Sequence, residues 1–323
     1  MRQAVKRRAV LARQFQDLTV DYDREQAVVW CKMHASPRPC FSENLLGECQ
    51  YVQDAILNWH KQQDTDPLHY VVLASSIPDI FNLGGDLDRF EHWIRTSDRP
   101  ALREYAKRCV DVCYYNAINY GRPDITTIAL VQGDALGGGF ESALSATVLV
   151  AERQVQFGLP EILFSLFPGM GSWTLLIRRV GVTKAEEIIR SGRLYTAEEL
   201  HELGIVDVLA ERGQGVAAVR QFIESRKRTR KGHQAIDCAK LRASPVSLDE
   251  LTEIVDIWVE TALALDERDL KMMRRLVKRQ THIPSAPKLI RRKDADDRRD
   301  PNSPGTALRE RDSDRPPTPP KIQ

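Results

Sequence analysis

The stretch Gly133–Glu141, GDALGGGFE, lies where a strand turns into a helix. The apolar run 126–131, TTIALV, precedes it and is typical of a buried strand, and the small residues 142–146 that follow favour a helix. Glycines at such a turn let the backbone approach a ligand closely. N–H groups at a helix start favour negative charge. The stretch therefore predicts backbone donors suited to an oxyanion, with the carboxyl group of Glu141 in the first helical turn.

Other functions of a glycine-rich turn fit this spacing poorly. The pattern GxxxGGG is not the dinucleotide-binding GxGxxG, and no acidic residue closes a second strand as that motif needs. A phosphate-binding loop is excluded as well, because no Gly-Lys-Ser/Thr follows. A tight structural turn stays open as an alternative on this stretch alone.

Two further stretches add a second glycine turn and a second carboxyl group. The apolar residues 71–76 predict a strand that runs into Phe81–Asp86, FNLGGD. Downstream, Phe157–Glu161 reads FGLPE, which places Glu161 twenty residues after Glu141 (161 − 141 = 20). Taken singly, each glutamate also has a structural interpretation. Glu141 would be a carboxylate that interacts with the dipole at a helix start, and Glu161 would be a solvated residue after a proline.

Together these motifs resemble the crotonase, or enoyl-CoA hydratase/isomerase, superfamily. The resemblance covers about residues 15–280 and implies an α/β fold, a spiral of repeated β-β-α units with a C-terminal helical region. It also implies that the backbone N–H groups of Gly85 and Gly138 form an oxyanion hole, and that Glu141 and Glu161 are the catalytic acid and base. Which glutamate is the acid is left open by the sequence.

Within that superfamily the sequence looks most like the diffusible-signal-factor synthases, bacterial enzymes that make cis-2-unsaturated fatty acid quorum signals. The resemblance rests on residues 81–87, on the unbroken run 126–141 and on residues 163–171, LFSLFPGMG. A typical hydratase carries Lys-Pro before its central strand, where this chain has Asp-Ile-Thr at 124–126. The helical insert at 99–120 also suits the signal synthases better.

This closer resemblance implies dehydration of a 3-hydroxyacyl chain followed by hydrolysis of its thioester. The chain would be carried by acyl carrier protein or coenzyme A, with no further cofactor. A homotrimer is implied, and a signal-sensing kinase is a candidate partner. Substrate-binding positions are expected at Gly84, Leu136, Gly137, Met170 and Trp173.

Three other functions are weighed against this one. An ordinary enoyl-CoA hydratase or isomerase would use the same two glutamates, so they do not separate it from a synthase. A non-enzymatic scaffold on the same fold would be favoured by loss of either glutamate, and both are present. RNA binding by the basic run 226–231 is disfavoured, because no aromatic residues interleave for base stacking.

Composition and patterning divide the chain into four segments. Residues 1–14 form a basic leader and 15–210 a catalytic core. Residues 211–284 form a helical region expected to cover the active site and build the oligomer. Residues 285–323 are rich in Pro, Arg and Asp and predict a disordered tail.

A formal net charge of +2 gives no general attraction to nucleic acid. No apolar run is long enough for a membrane span. The six cysteines and seven histidines show no metal-ligand spacing. A cytoplasmic protein with reduced thiols and no metal is therefore expected. Cys109 and Cys113 are expected to pack in the core.

Overall fold

The structure, a computed structural model, describes residues 13–59 and 66–281, with the side chains of the last helix described through residue 275. Most of the basic leader predicted for 1–14, and the whole tail predicted for 285–323, lie outside the described residues. In chain order the strands are β1 Leu18–Asp23, β2 Val28–Met33, β3 Tyr70–Ser75, β4 Ile80–Asn82, β5 Thr126–Val131, β6 Asp134–Leu136, β7 Val148–Glu152, β8 Gln156–Gly158, β9 Leu194–Thr196 and β10 Val208–Ala210.

The α-helices alternate with these strands and then continue alone. In chain order they are α1 Glu43–Leu57, α2 Leu87–Arg95, α3 Arg99–Ala117, α4 Gly138–Leu144, α5 Ser172–Ser191, α6 Ala197–Glu202, α7 Gly215–Arg226, α8 Arg230–Ala243, α9 Leu248–Leu263 and α10 Glu267–Thr281. Two 3₁₀ helices, Asn119–Gly121 and Pro160–Phe164, lie between them.

The larger sheet has the strand order β1-β2-β3-β5-β7-β10. β1 and β2 form an antiparallel hairpin, and every other pair in this sheet is parallel. All six residues of β5 are buried, as expected for a central parallel strand with both faces covered. One face packs in the main core, and the other is covered by α7 through Val219 and Ile223.

A second, smaller sheet has the order β4-β6-β8-β9. Its first three strands follow β3, β5 and β7 in turn, and each pair is then followed by helix. The predicted repeat of β-β-α units is therefore confirmed. The short strands β4 and β6 were not predicted, since the sequence analysis placed them in the glycine turns.

Local capping signals fix where several helices begin. The Ser42 hydroxyl oxygen accepts a hydrogen bond from the Leu45 N–H at 3.0 Å and starts α1. Asp98 caps α3 in the same way through the Ala101 N–H at 3.1 Å. Thr196 and Glu199 form a capping box at the start of α6. α5 is interrupted at Gly181, where the sequence predicts a boundary between two helices.

The C-terminal helices pack on the core of their own chain. The stripe of α9 that includes Leu251, Val255 and Trp258 is buried there, and Asp256 of α9 forms an ion pair with Arg103 of α3 at 2.6 Å. In α10, Leu270 and Met273 are buried. Because the apolar stripe of α9 packs against its own chain, it gives no evidence for an interface with a second copy of the protein.

Candidate active site

The two predicted glycine turns lie against each other. Gly84 has φ +94°, and a Cβ atom there would come within 3.0 Å of the Leu136 carbonyl oxygen and 3.1 Å of the Gly138 nitrogen. Only glycine fits such a position, so the contact between the turns depends on it. A Cβ atom on Gly138 would in turn lie 3.6 Å from the Gly85 nitrogen. The structure therefore brings the predicted oxyanion donors together.

Both donor N–H groups are available to a ligand. Gly138 is the first residue of α4, so its N–H lies in the helical turn that has no partner within the helix. Among the residues that the structure describes, no atom accepts a hydrogen bond from the N–H of Gly85 or Gly138. Two neighbouring backbone donors of this kind can stabilise a negatively charged oxygen.

Hydrogen bonds hold the Gly84–Asp86 turn from several directions. The Phe41 N–H donates to the Gly84 carbonyl oxygen at 2.8 Å, and the Gly84 N–H donates to Asn82 Oδ1 at 2.8 Å. Asp86 follows the turn, caps α2 and forms an ion pair with Arg38 at 2.9 Å. Asp86 therefore stabilises the turn and the start of α2, which is a structural role typical of aspartate in a turn.

Tyr105 of α3 ties this turn to the helical insert. Its hydroxyl group donates to the Phe41 carbonyl oxygen and accepts from the Asp86 N–H at 3.2 Å. Tyr105 is buried and lies at the cavity described below. Its hydroxyl therefore holds Asp86, which follows the Gly85 donor, and Phe41, whose N–H binds the Gly84 carbonyl oxygen.

Tyr105→Phe is expected to lower kcat about fivefold with little change in KM, because a hydrogen bond of this kind contributes about 1 kcal/mol and the oxyanion is fully charged only in the transition state. Tyr114→Phe is the matched control, since Tyr114 lies on the same helix and its hydroxyl has no hydrogen-bond partner among the described residues. Steady-state kinetics of both variants measure the effect. Equal kinetics in the two variants would remove Tyr105 from this positioning role.

Glu141 is placed by α4 and oriented by a loop that approaches it. The residue is 1% exposed, and its Oε1 accepts hydrogen bonds from the N–H groups of Met170 at 2.9 Å and Ser172 at 3.0 Å. Its other oxygen, Oε2, is buried and has no hydrogen-bond partner among the residues that the structure describes. Buried polar atoms are nearly always paired, so a bound substrate or water is the natural partner of Oε2.

Glu161 is placed by the 3₁₀ helix that Pro160 begins. A Cβ atom on Gly137 would come within 2.6 Å of Glu161 Oε1, so the second carboxyl group lies directly beside the glycine turn. Gly137 has φ +52°, which also favours glycine. The Oε2 atom of Glu161, like that of Glu141, is buried and accepts no hydrogen bond from the described parts of the chain.

The environments of the two carboxyl groups favour different protonation states. Burial raises the pKa of Glu141, while the N–H groups of Ser172 and Met170 oppose this by stabilising the carboxylate. Burial also raises the pKa of Glu161, and the negative charge of Glu141 raises it further. When the pair holds one proton, that proton therefore resides on Glu161, and Glu141 is the carboxylate, which is the form that a general base requires.

A cavity of about 220 Å³ joins the carboxyl groups to the glycine turns. At its mouth lie Leu163 and Leu194, which are 53% and 50% exposed. Other lining residues, among them Leu46, Cys109 and Cys113, are buried. A mostly apolar lining with a few polar groups at one point suits an acyl chain that carries a reactive carbonyl.

Four of the five predicted substrate-binding residues line this cavity, namely Gly84, Leu136, Gly137 and Met170. Trp173 is the exception. It is not part of the lining, and its partly buried ring packs against the core, so its place at the cavity is corrected. Trp173 lies in the first turn of α5, and the backbone N–H of its neighbour Ser172 donates to Glu141.

Several lining residues were not predicted. One of them is Trp258 of α9. From α3 come Tyr105, Cys109, Val112 and Cys113, spaced as one helix face. Cys109 and Cys113 are buried but form cavity wall rather than closed core. The spacing of apolar residues predicts that a helix has an apolar face, but it does not show whether that face packs against side chains or lines a cavity.

The described residues contain neither a membrane-spanning helix nor a cluster of metal ligands. No helix within residues 13–59 and 66–281 is both long and apolar enough to cross a membrane. Across the same residues, no group of three His, Cys, Asp or Glu side chains is arranged to hold a metal ion.

Comparisons with known proteins agree with this geometry. The sequence profile described as enoyl-CoA hydratase/isomerase matches residues 23–256. The chain is 33% identical over 142 residues to the peroxisomal fatty acid beta-oxidation multifunctional protein AIM1 of Arabidopsis thaliana, covering 44% of this chain and 19% of that protein. It is 27% identical over 228 residues to mitochondrial methylglutaconyl-CoA hydratase of Mus musculus, covering 70% and 66%.

The matched regions span less than two thirds of the length of each of these two proteins. Among solved structures, DspI of Pseudomonas aeruginosa is similar with a TM-score of 0.60 and 25% identity, over 76% of this chain and 91% of that one. The profile match extends over more than half of the chain and includes both glycine turns and both glutamates. The chain belongs to the enoyl-CoA hydratase/isomerase family.

Proposed function

We propose that this protein dehydrates a 3-hydroxyacyl chain on acyl carrier protein and then hydrolyses the thioester, releasing a free cis-2-unsaturated acid. Family membership supports a thioester substrate. The observation that carries the finer proposal is the position of α3. This helix belongs to the insert that resembles the signal synthases, and it forms the inner wall of the cavity.

In the first step, the thioester oxygen lies between the N–H groups of Gly85 and Gly138. The carboxylate of Glu141 takes a proton from C2, and the enolate oxygen is stabilised by the two donors. Glu161 gives its proton to the 3-hydroxyl group, which leaves as water while the C2–C3 double bond forms. The step ends with the proton on Glu141 and a carboxylate on Glu161.

These reversed protonation states are the ones that hydrolysis needs. The Glu161 carboxylate takes a proton from a water molecule, whose oxygen attacks the thioester carbonyl. The same two N–H groups stabilise the tetrahedral oxyanion. When the carbon–sulfur bond breaks, Glu141 gives its proton to the leaving thiolate. The pair returns to its starting state, so one site completes both steps without an outside proton donor.

Incubating the purified protein with a medium-chain 3-hydroxyacyl carrier protein is expected to yield free carrier and a free cis-2-enoic acid. Mass spectrometry of the carrier and of the extracted acids measures both products. Carrier alone and heat-treated protein are the controls. Rapid hydration of a short trans-2-enoyl-CoA, with the carrier-bound substrate left intact, would establish the ordinary hydratase instead.

A further inference from the structure

A second, smaller cavity lies directly behind the inner wall of the active-site cavity. Its volume is about 40 Å³. Three residues line both cavities, namely Phe41, Val112 and Ser142, and therefore form the partition between them. The rest of the small cavity is mostly apolar, with Leu18, Val52 and Val71 among its lining residues.

Of these three residues, Val112 is the one whose side chain can be made smaller or larger without disturbing the proposed catalytic groups. Ser142 follows the catalytic Glu141, and Phe41 holds the Gly84 carbonyl through its N–H. Val112 instead projects from the middle of α3, and its carbonyl oxygen accepts a hydrogen bond from Gln53 Nε2 at 2.8 Å. That contact from α1 fixes the position of Val112 at the partition.

The lining of the cavity indicates how far an acyl chain can enter it. Burial of the lining increases from the exposed Leu163 and Leu194, through the half-buried Gly85, Gly138 and Glu161, to the buried Glu141, Cys109 and Cys113. A thioester held at the glycine turns therefore directs its hydrocarbon tail toward Cys109, Val112 and Cys113. The tail ends where Val112 closes the cavity.

We infer that Val112 sets the length of the longest acyl chain that the site accepts. A smaller residue at position 112 would open the small cavity to the acyl-binding cavity, so that a longer chain would fit. This inference rests on the proposed function, since it takes the ligand to be an acyl chain. Each methylene that enters an apolar cavity increases affinity about fourfold. Affinity should therefore rise with chain length and then stop rising when the tail reaches the partition.

The test measures binding of S-alkyl pantetheine thioethers of increasing chain length by calorimetry. Pantetheine is common to coenzyme A and acyl carrier protein, and a thioether cannot be hydrolysed, so the result does not depend on the carrier or on turnover. In Val112→Ala the rise in affinity is expected to continue for roughly one or two further methylenes, about fourfold for each. In Val112→Leu it is expected to stop earlier.

Val110→Ala is the matched control. Val110 lies on the same helix and is fully buried, and it lines neither cavity, so the same change should leave the limiting chain length unaltered. Thermal unfolding confirms that each variant is folded, and Val112→Leu supplies the test if the alanine variant is not. An unchanged limit in both Val112 variants would overturn the inference and leave the proposed function standing. Wild-type affinity that does not depend on chain length would overturn the acyl substrate itself.

Discussion

Replacing Glu141 or Glu161 by glutamine is expected to lower kcat by a factor of about 10² to 10⁴, the usual contribution of general acid–base catalysis. An amide neither takes up nor releases the proton, and the proposed cycle uses each carboxyl group in both steps. The decrease in kcat should therefore be seen with the 3-hydroxyacyl substrate and also when the 2-enoyl thioester is supplied directly as the substrate. Single-turnover assays with the two substrates measure the steps separately.

The fold should tolerate these changes. A glutamine at 141 keeps an oxygen that can accept from the Met170 and Ser172 N–H groups. At Glu161 the folded pKa is raised by burial and by the charge of Glu141, so ionising this residue costs stability as pH rises through that pKa. Glu161→Gln removes that cost. Its unfolding temperature should equal or exceed that of the wild type at alkaline pH.

Glu152 provides a matched control, because it is another buried glutamate with the opposite electrostatics. Burial alone would raise its pKa, but hydrogen bonds from Gln154, Gly213, Gln132 and Gly215 outweigh burial and lower it. Its charged form therefore stabilises the fold above the unfolded pKa, and this contribution is lost as pH falls through the folded pKa. Glu152→Gln should lose stability at neutral pH while a folded sample keeps turnover. A Glu161→Gln variant with wild-type turnover would show that Glu161 is neither acid nor base.

The pH dependence of the wild type follows from the same pair. At low pH both carboxyl groups are protonated and no base is present, whereas at high pH both are ionised and no acid is present. The profile of kcat/KM should therefore be bell-shaped. Since burial raises both pKa values, the acidic limb should lie above the ordinary glutamate pKa of about 4.3.

The sequence is sufficient for features that depend on local signals. The strand at 126–131, the caps at Ser42 and Asp98 and the capping box at Thr196 are each encoded by neighbouring residues. The strands β4 and β6 are only three residues long, which is too short for a periodic pattern to appear. α2 was missed as well, although Asp86 caps it, because that residue was assigned only to the glycine turn.

For the candidate site, residue types and spacing were enough to select two glutamates and two glycine turns that the structure brings to one cavity. They did not distinguish the acid from the base, because that depends on the backbone N–H groups of Met170 and Ser172, whose direction no sequence pattern reports. The cavity wall on α3 was missed for a similar reason. Tyr105 and Val112 act at the site only because their helix crosses the two glycine turns.

The second large effect is expected from Gly138→Pro. Proline has no N–H, and the loss of one oxyanion donor lowers kcat by about 10² to 10³, or about 2.7–4 kcal/mol of transition-state stabilisation. The pyrrolidine ring would also occupy the space in front of the nitrogen, where the thioester oxygen should lie. Activity should therefore fall at least this far, with both the dehydration and the hydrolysis steps affected.

The backbone at this position should accept proline. Gly138 is the first residue of α4, where proline is favoured because its missing N–H has no helical partner. The residue before it, Gly137, has φ +52° and ψ −126°, outside the α region that a following proline excludes. The substitution thus removes a donor without removing a hydrogen bond of the fold.

Gly138→Ala separates the donor from the side chain. Alanine keeps the N–H, and its Cβ atom would lie 3.4 Å from Gly84 Cα, an ordinary van der Waals contact. The alanine variant should retain far more turnover than the proline variant, while circular dichroism and thermal unfolding show both to be folded. Folded Gly138→Pro with the turnover of the alanine variant would mean that the Gly138 N–H does not hold the oxyanion. Equal loss in both would assign the effect to crowding against Gly84 rather than to the missing donor.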